Sequence, residues 1–284
     1  MHVFGPFDQF PIGQAGAYTP PVADRVQHRG VLDSLGFDHA LLIQPSLYGS
    51  DHSALLDAIA NSGGRLLGIG SCDASVTGQA LADMRAAGIV GLRFVGVPGP
   101  DGGRYPGTQG LDSLEQLRAD MATVGMHAQL WADLDLCVET AVTLAHQGMP
   151  LVLDHLAGLS PQDRPGSYRF DKLIDALSSG LIWVKLTYLR RSAQPLDYQD
   201  MRETVEALAA AAPNQLLWGS DWPFVRMAAQ PDPAFLLDQL LAWLGREAFV
   251  RCMTENPARL FAATKGIAKS LAKTLDGQTA AATR

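Results

Sequence analysis

Three cysteines in 284 residues, Cys72, Cys137 and Cys252, are odd in number and far apart, and no two share the spacing of a zinc knuckle or a redox pair. Buried, reduced thiols in a cytoplasmic protein are the expectation, with Cys72, near a strand end, read as packing rather than as a nucleophile. No block of Lys or Arg interrupts a chain whose formal net charge is −7. Phosphate binding needs concentrated positive charge, so a nucleic-acid surface is excluded. No apolar run approaches the roughly 20 residues of a membrane-spanning helix, and no signal-peptide pattern opens the sequence. A glycine-rich dinucleotide fingerprint is missing too, which removes the main argument for an open doubly wound sheet. What is present is a chain that is 47% hydrophobic, enough to bury a large core, with a small molecule as its expected partner.

Short apolar runs alternate with stretches of helical spacing throughout. The runs are Ala40 to Gln44, Arg65 to Ser71, Ile89 to Phe94, Met126 to Trp131, Leu151 to His155, Leu181 to Thr187 and Gln215 to Ser220, and a stub at His2 to Phe4 makes eight. Helical patterns lie between them over Ser53 to Asn61, Val76 to Ala87, Ser113 to Val124, Leu136 to His146, Phe170 to Ser178 and Tyr198 to Ala211. Strand then helix, repeated, predicts a parallel sheet, and eight units predict an α/β fold of the (β/α)8 TIM-barrel type with its first strand truncated at the N-terminus. One domain over residues 1–263 is expected, followed by a partly disordered tail at 264–284.

In such a barrel the loops after the strands build the site, so polar residues at strand ends read as chemistry and those at strand starts, here His39 and His127, as support. Asp221 closes the run Leu216-Leu217-Trp218-Gly219-Ser220, His155 closes Leu151-Val152-Leu153-Asp154, and His2 lies in the N-terminal stub. Alternation along strands can bring Asp221, His155 and Arg93 to the barrel axis. A buried Arg93 needs an anion, either Asp221 or a substrate carboxylate, or else it belongs to a structural ion pair. Gln129 and Trp131 share one face and suit either a planar ring or barrel filling. Alternation leaves open whether Lys185 and Thr187 or Leu186 and Tyr188 point inward. The Gly/Pro-rich stretch Gly96 to Gly110 exceeds an ordinary connection and is read as a lid carrying Arg104 and Tyr105, or as a plain surface loop.

The chain resembles the amidohydrolase-related family typified by 2-pyrone-4,6-dicarboxylate lactonase. The resemblance rests on His2-Val3-Phe4-Gly5-Pro6 with Phe10-Pro11, Tyr18-Thr19-Pro20, Gln44-Pro45-Ser46-Leu47-Tyr48-Gly49, Gly91-Leu92-Arg93-Phe94, Asp154-His155, Val184-Lys185-Leu186-Thr187, Trp218-Gly219-Ser220-Asp221-Trp222-Pro223 and Asn256-Pro257-Ala258-Arg259-Leu260. These pieces run in the family's order up to Phe261, and together they are specific where each alone is not. The last reads as structural, with Leu260 and Phe261 on the core side.

The resemblance implies a His-x-His pair ending the first strand, a histidine on the sixth and an aspartate on the eighth. Only the second member of the pair is present, as His2, so an upstream segment with the missing histidine in an Asp-x-His run is expected before Met1. The implied function is hydrolysis of a small carboxylated lactone from aromatic or sugar-acid catabolism, metal-independent and without cofactor. Asp221 would activate water, His2 and His155 would stabilise the oxyanion, and Arg93 would clamp a carboxylate with Tyr48, Ser46, Lys185 or Arg190. The alternatives are a zinc-dependent hydrolase or decarboxylase with His2, His155 and Asp221 as ligands, and a non-catalytic barrel that binds a carboxylated ligand. Phe224, where many relatives have histidine, and the lack of a second arginine soon after Arg93 set the chain apart from the dicarboxylate lactonase itself.

Overall fold

Short, mostly apolar runs between turns can be buried on both faces only inside a sheet covered by helices, and that is where these runs fall. The computed structural model of the chain describes residues 1–13 and 17–263, so the expected tail at 264–284 lies outside the described residues. Seven strands, β1 (Ala40–Ile43), β2 (Leu66–Gly70), β3 (Ile89–Val95), β4 (His127–Trp131), β5 (Leu151–Leu153), β6 (Ile182–Lys185) and β7 (Leu216–Leu217), form one sheet in sequential order, every neighbouring pair parallel. The crossovers are α2 (Ser53–Ala60), α3 (Gly78–Ala86), α4 (Leu111–Thr123), α5 (Leu134–His146), α6 (Tyr168–Leu177) and α7 (Arg202–Ala211), with α1 (Arg25–Leu35) before β1 and α8 (Pro233–Val250) after β7. This is an α/β fold of TIM-barrel type.

Among the described residues the sheet has seven strands, and the expected truncated first strand is not confirmed. Phe4 makes only an isolated antiparallel bridge with Ala23. The N-terminal residues nevertheless join the two edges of the sheet: the Ile43 amide donates to the Met1 carbonyl at 2.9 Å, and the His2 amide donates to the Trp222 carbonyl at 2.9 Å. His2 is thereby fixed between β1 and the loop that leaves β7.

Helices cover one face of the sheet. Leu92, Phe94, Leu130, Leu151, Leu153 and Val184 pack there with Leu117, Met121, Cys137 and Leu173 in the main core. On the opposite face Val152, Trp183 and Leu217 pack against Leu260, and Ile43, Ile69 and Val90 pack with Phe261, both partners lying in the helical residues 256–263. Asn256, fully buried, donates to the carbonyls of Pro213 and Leu216 and pins that helical segment to the start of β7. The structural reading of Leu260 and Phe261 therefore holds. β3 and β4 approach so closely that a Cβ on Gly91 would stand 2.6 Å from the His127 carbonyl oxygen, a contact only glycine tolerates.

Candidate active site

At the C-terminal end of the strands the chain leaves β7 through Gly219 and Ser220, and Asp221 takes a left-handed backbone conformation (φ 62°). That turn directs its carboxylate into a cavity of about 280 Å³. One oxygen lies 3.4 Å from His2 Nε2, and the other accepts from Arg190 Nε. Burial alone would raise the pKa of this group. The proximity of His2 and the charge of Arg190 outweigh burial and hold Asp221 well below the usual carboxylate range, so it is ionised. Arg190 is anchored in turn by donation from Nη2 to the Val225 carbonyl at 2.8 Å.

The tautomer of His2 follows from its partners. Its Nδ1 stands 2.8 Å from the Ile43 carbonyl oxygen, which can only accept, so Nδ1 carries the proton. Burial pushes the imidazole below its ordinary value despite Asp221. In its neutral form His2 thus presents a lone pair at Nε2 toward the carboxylate. A water in the cavity beside the pair can donate one hydrogen to each.

His155 enters the cavity by a different device. After β5 the backbone runs through four successive left-handed residues, His155 (φ 48°), Leu156 (56°), Ala157 (55°) and Gly158 (83°). Each non-glycine residue there costs roughly 1–2 kcal/mol. The turn is held by Arg191, whose Nε donates to the Leu159 carbonyl at 2.8 Å and whose Nη2 donates to the Gly158 carbonyl at 2.6 Å. A Cβ on Gly158 would also stand 2.7 Å from the Leu134 amide nitrogen. The His155 ring meets Trp131 edge-on at 5.7 Å, its Nδ1 is buried with no partner among the described residues, and burial pushes its pKa down to about 4.

Beneath these groups lies an ionic floor centred on Asp154, which is 3% exposed. Its carboxylate accepts from Arg93 Nε at 2.9 Å, Lys185 Nζ at 2.9 Å and Gln129 Nε2 at 3.1 Å. The anionic company of Arg93 is therefore Asp154, not Asp221. Arg93 still lines the cavity, its guanidinium 5.3 Å from the Trp131 ring centre.

His2, His155, Asp221, Arg93, Ser46 and Arg190 all line this one cavity. Tyr48 and Lys185 do not. The Tyr48 hydroxyl accepts from the Gly5 amide and donates to the Phe10 carbonyl, holding the N-terminal segment, while Lys185 is occupied by Asp154 below the floor. A Cβ on Gly219 would meet both Thr187 Oγ1 and the Lys185 side chain, so that pair faces the barrel interior. Tyr188 faces the helices, donating to the Leu236 carbonyl and packing on Trp243 of α8, which removes it from the chemistry. Gln129 is spent on Asp154, leaving Trp131 in the wall. The long segment after β3 divides: Tyr105 is buried in the cavity wall, and Arg104 turns out to Asp112 on the surface. His39 is exposed, and His127 is buried beside Gly91 with its pKa pushed down to about 3. Burial raises Cys72, Cys137 and Cys252 to about 12, so all three are thiols.

Sequence reasoning missed Arg191, Arg226, Arg169 and Tyr18 in the wall. The Arg190-Arg191 pair at a strand end was the one signal for the first. The wall holds five arginines, Arg93, Arg169, Arg190, Arg191 and Arg226, against two aspartates, Asp133 and Asp221, so it favours an anion.

As arranged, His2, His155 and Asp221 do not fit a zinc ion. One Asp221 oxygen is taken by Arg190, and no group of three or more His, Cys, Asp or Glu side chains among the described residues is placed to hold a metal.

A family model described as Amidohydrolase matches residues 1–263. The chain is 30% identical over 278 residues to a 4-sulfomuconolactone hydrolase of Rhizobium radiobacter, covering 92% of this chain and 88% of that protein. It is 26% identical over 282 residues to a 2-pyrone-4,6-dicarboxylate hydrolase of Comamonas testosteroni, again with 92% and 88% covered. Among solved structures, a ligand-free Agrobacterium tumefaciens protein superimposes with a TM-score of 0.80 at 24% identity, over 92% of this chain and 93% of that one.

Proposed function

The chain belongs to the amidohydrolase family and is a hydrolase, and from that premise we propose that it opens a small carboxylated lactone with water activated by Asp221, without a metal. One observation carries the reading: the Asp221 carboxylate, only 13% exposed and beside a lone-pair-bearing imidazole, stands in a wall otherwise dominated by guanidinium groups. The named relatives, which act on anionic lactones by their names, support the substrate class. The two backbone bonds through Met1 and His2 support a (β/α)8 barrel in which the N-terminal residues take the place of the first strand.

In this mechanism the lactone carboxylate is drawn to Arg93 and Arg190, whose charges are partly free to rearrange toward a second anion. Water held beside Asp221 and His2 Nε2 loses a proton to the carboxylate as its oxygen adds to the ring carbonyl. His155, neutral because it is buried, donates to the developing oxyanion, with Arg93 supplying positive charge below. Collapse breaks the ring ester bond, and the proton held by Asp221 goes to the leaving oxygen, giving the open-chain acid. The Arg190 guanidinium held against Asp221 supports metal-free chemistry, because a metal ion there would meet like charge.

The test is hydrolysis of a panel of carboxylated and neutral lactones, with and without a chelator. Turnover of the carboxylated members that survives chelation is expected. Activity lost to the chelator and restored by zinc would assign the chain to the metal-dependent branch. Tight binding of carboxylated lactones without turnover would identify a binding barrel.

A further inference from the structure

Resting on the anionic-lactone reading, we propose that Arg226 is a specificity-determining residue, the outer anion contact that selects substrates carrying a second negative group on an arm directed to the cavity mouth. Four observations converge on it. The deeper cations are engaged: Arg93 by Asp154, Arg190 by Asp221, and Arg191 by two backbone carbonyls. Arg226 lines the same cavity with no carboxylate within 4.0 Å among the described residues. Its one hydrogen bond runs from Nη1 to the Tyr105 hydroxyl at 2.8 Å, with the guanidinium 5.7 Å from that ring's centre. A phenol oxygen is a weak substitute for an anion, so the contact orients the guanidinium without neutralising it.

The placement is also fixed relative to the chemistry. Arg226 stands five positions after Asp221 on the same loop, itself in a left-handed conformation (φ 65°). That loop is tied down by the Arg190 bond to the Val225 carbonyl, by the Phe224 amide on the Asp221 carbonyl, and by the Met227 amide on the Phe224 carbonyl. A substrate whose ring lies between Asp221 and Trp131 therefore meets a charge at a set offset, on the side of the mouth formed by Tyr105. A neutral arm would leave that guanidinium without an ionic partner.

The experiment is calorimetric titration of the full chain with two unreactive planar probes, benzene-1,3-dicarboxylate and benzoate, for the wild type, Arg226→Met and Arg226→Lys. The wild type is expected to prefer the diacid. Because Arg226 is exposed, its contribution is screened, and Arg226→Met is expected to weaken diacid binding about fivefold while leaving benzoate unchanged. Arg226→Lys should retain part of the preference, and added salt should shrink the difference between wild type and Met variant. Equal loss on both probes, or no loss on either, would overturn the assignment. A wild type that binds benzoate and diacid equally would also overturn it while leaving the lactone reading in place. Failure of both probes to bind would count against the two together.

Discussion

Replacing Asp154 by Asn tests whether the floor of the site is held by charge. In the native protein one carboxylate, 3% exposed, compensates two cations whose side chains are 11% and 13% exposed. Asparagine keeps the volume and can still accept from one donor, but its amide group faces the others. One guanidinium and one ammonium charge are then left in a nearly buried site. Removing one partner of a buried ion pair costs about 3–5 kcal/mol, since the stranded charge keeps its desolvation penalty. For a chain of this size about 4 kcal/mol corresponds to a fall in Tm of about 8 °C. The control is Lys185→Met in the same background. It removes one stranded charge, so the double variant should recover at least about 1 kcal/mol relative to additivity. Thermal and urea unfolding of the four proteins in the cycle measure both quantities. An Asp154→Asn variant within about 1 kcal/mol of wild type, or an additive cycle, would refute the ionic-floor argument and make Asp154 a replaceable hydrogen-bond acceptor.

Three further outcomes follow from the geometry. Asp221→Asn should lower kcat by about 10³-fold, within the usual contribution of a positioned base, with folding intact by thermal unfolding; near-normal turnover would remove Asp221 from water activation. Arg191→Met frees the two carbonyls of the left-handed turn and should cost about 2 kcal/mol together with a drop in kcat, because His155 loses its support; lost stability with kcat intact would show that the turn holds its shape alone. Stability should fall as pH drops from about 6.5 toward 4. Burial holds His28 and His127 near 3 and His155 near 4, so the unfolded chain takes up protons first and is favoured as the pH falls through that window. Urea midpoints at pH 7.5 and 5 check this, and equal midpoints would mean that these rings are protonated in the folded protein.

The strands were legible because each is a mostly apolar run buried on two faces, a pattern no solvent-facing segment carries. α1 and α8 were not. In α1 only His28 and Leu32 are buried, too few to mark a period over eleven residues. α8 has the opposite fault, since Phe235 and Leu241 remain exposed and Gly245 leaves the helical conformation, so no single apolar face stands out. The truncated first strand is not confirmed, for another reason. Residues 1–4 make only the bonds described above with both edges of the sheet, which is less pairing than a strand requires.

The site was legible where a strand delivers its side chains and opaque where a turn does. Period-two alternation places Arg93 and Gln129 on the barrel axis, but it cannot choose between Asp154 and Asp221 as their anion. It also assigns Asp154 and His155 to opposite faces, since they are consecutive. Both nevertheless enter the site, because β5 ends at Leu153 and the left-handed run that follows rotates His155 back over the cavity while Asp154 stays in the floor. Asp221 repeats the device after β7 with a single left-handed residue. Strained backbone at two strand ends is thus what converts a row of strand termini into a converging set of groups. The residues that sustain it, Arg191 on the carbonyls of Gly158 and Leu159 and Arg190 on that of Val225, lie in loops whose conformation no periodicity encodes. The two adjacent arginines therefore do for the loops what alternation does for the strands: each spends donors on backbone carbonyls, and in doing so sets where His155 and Asp221 stand relative to each other.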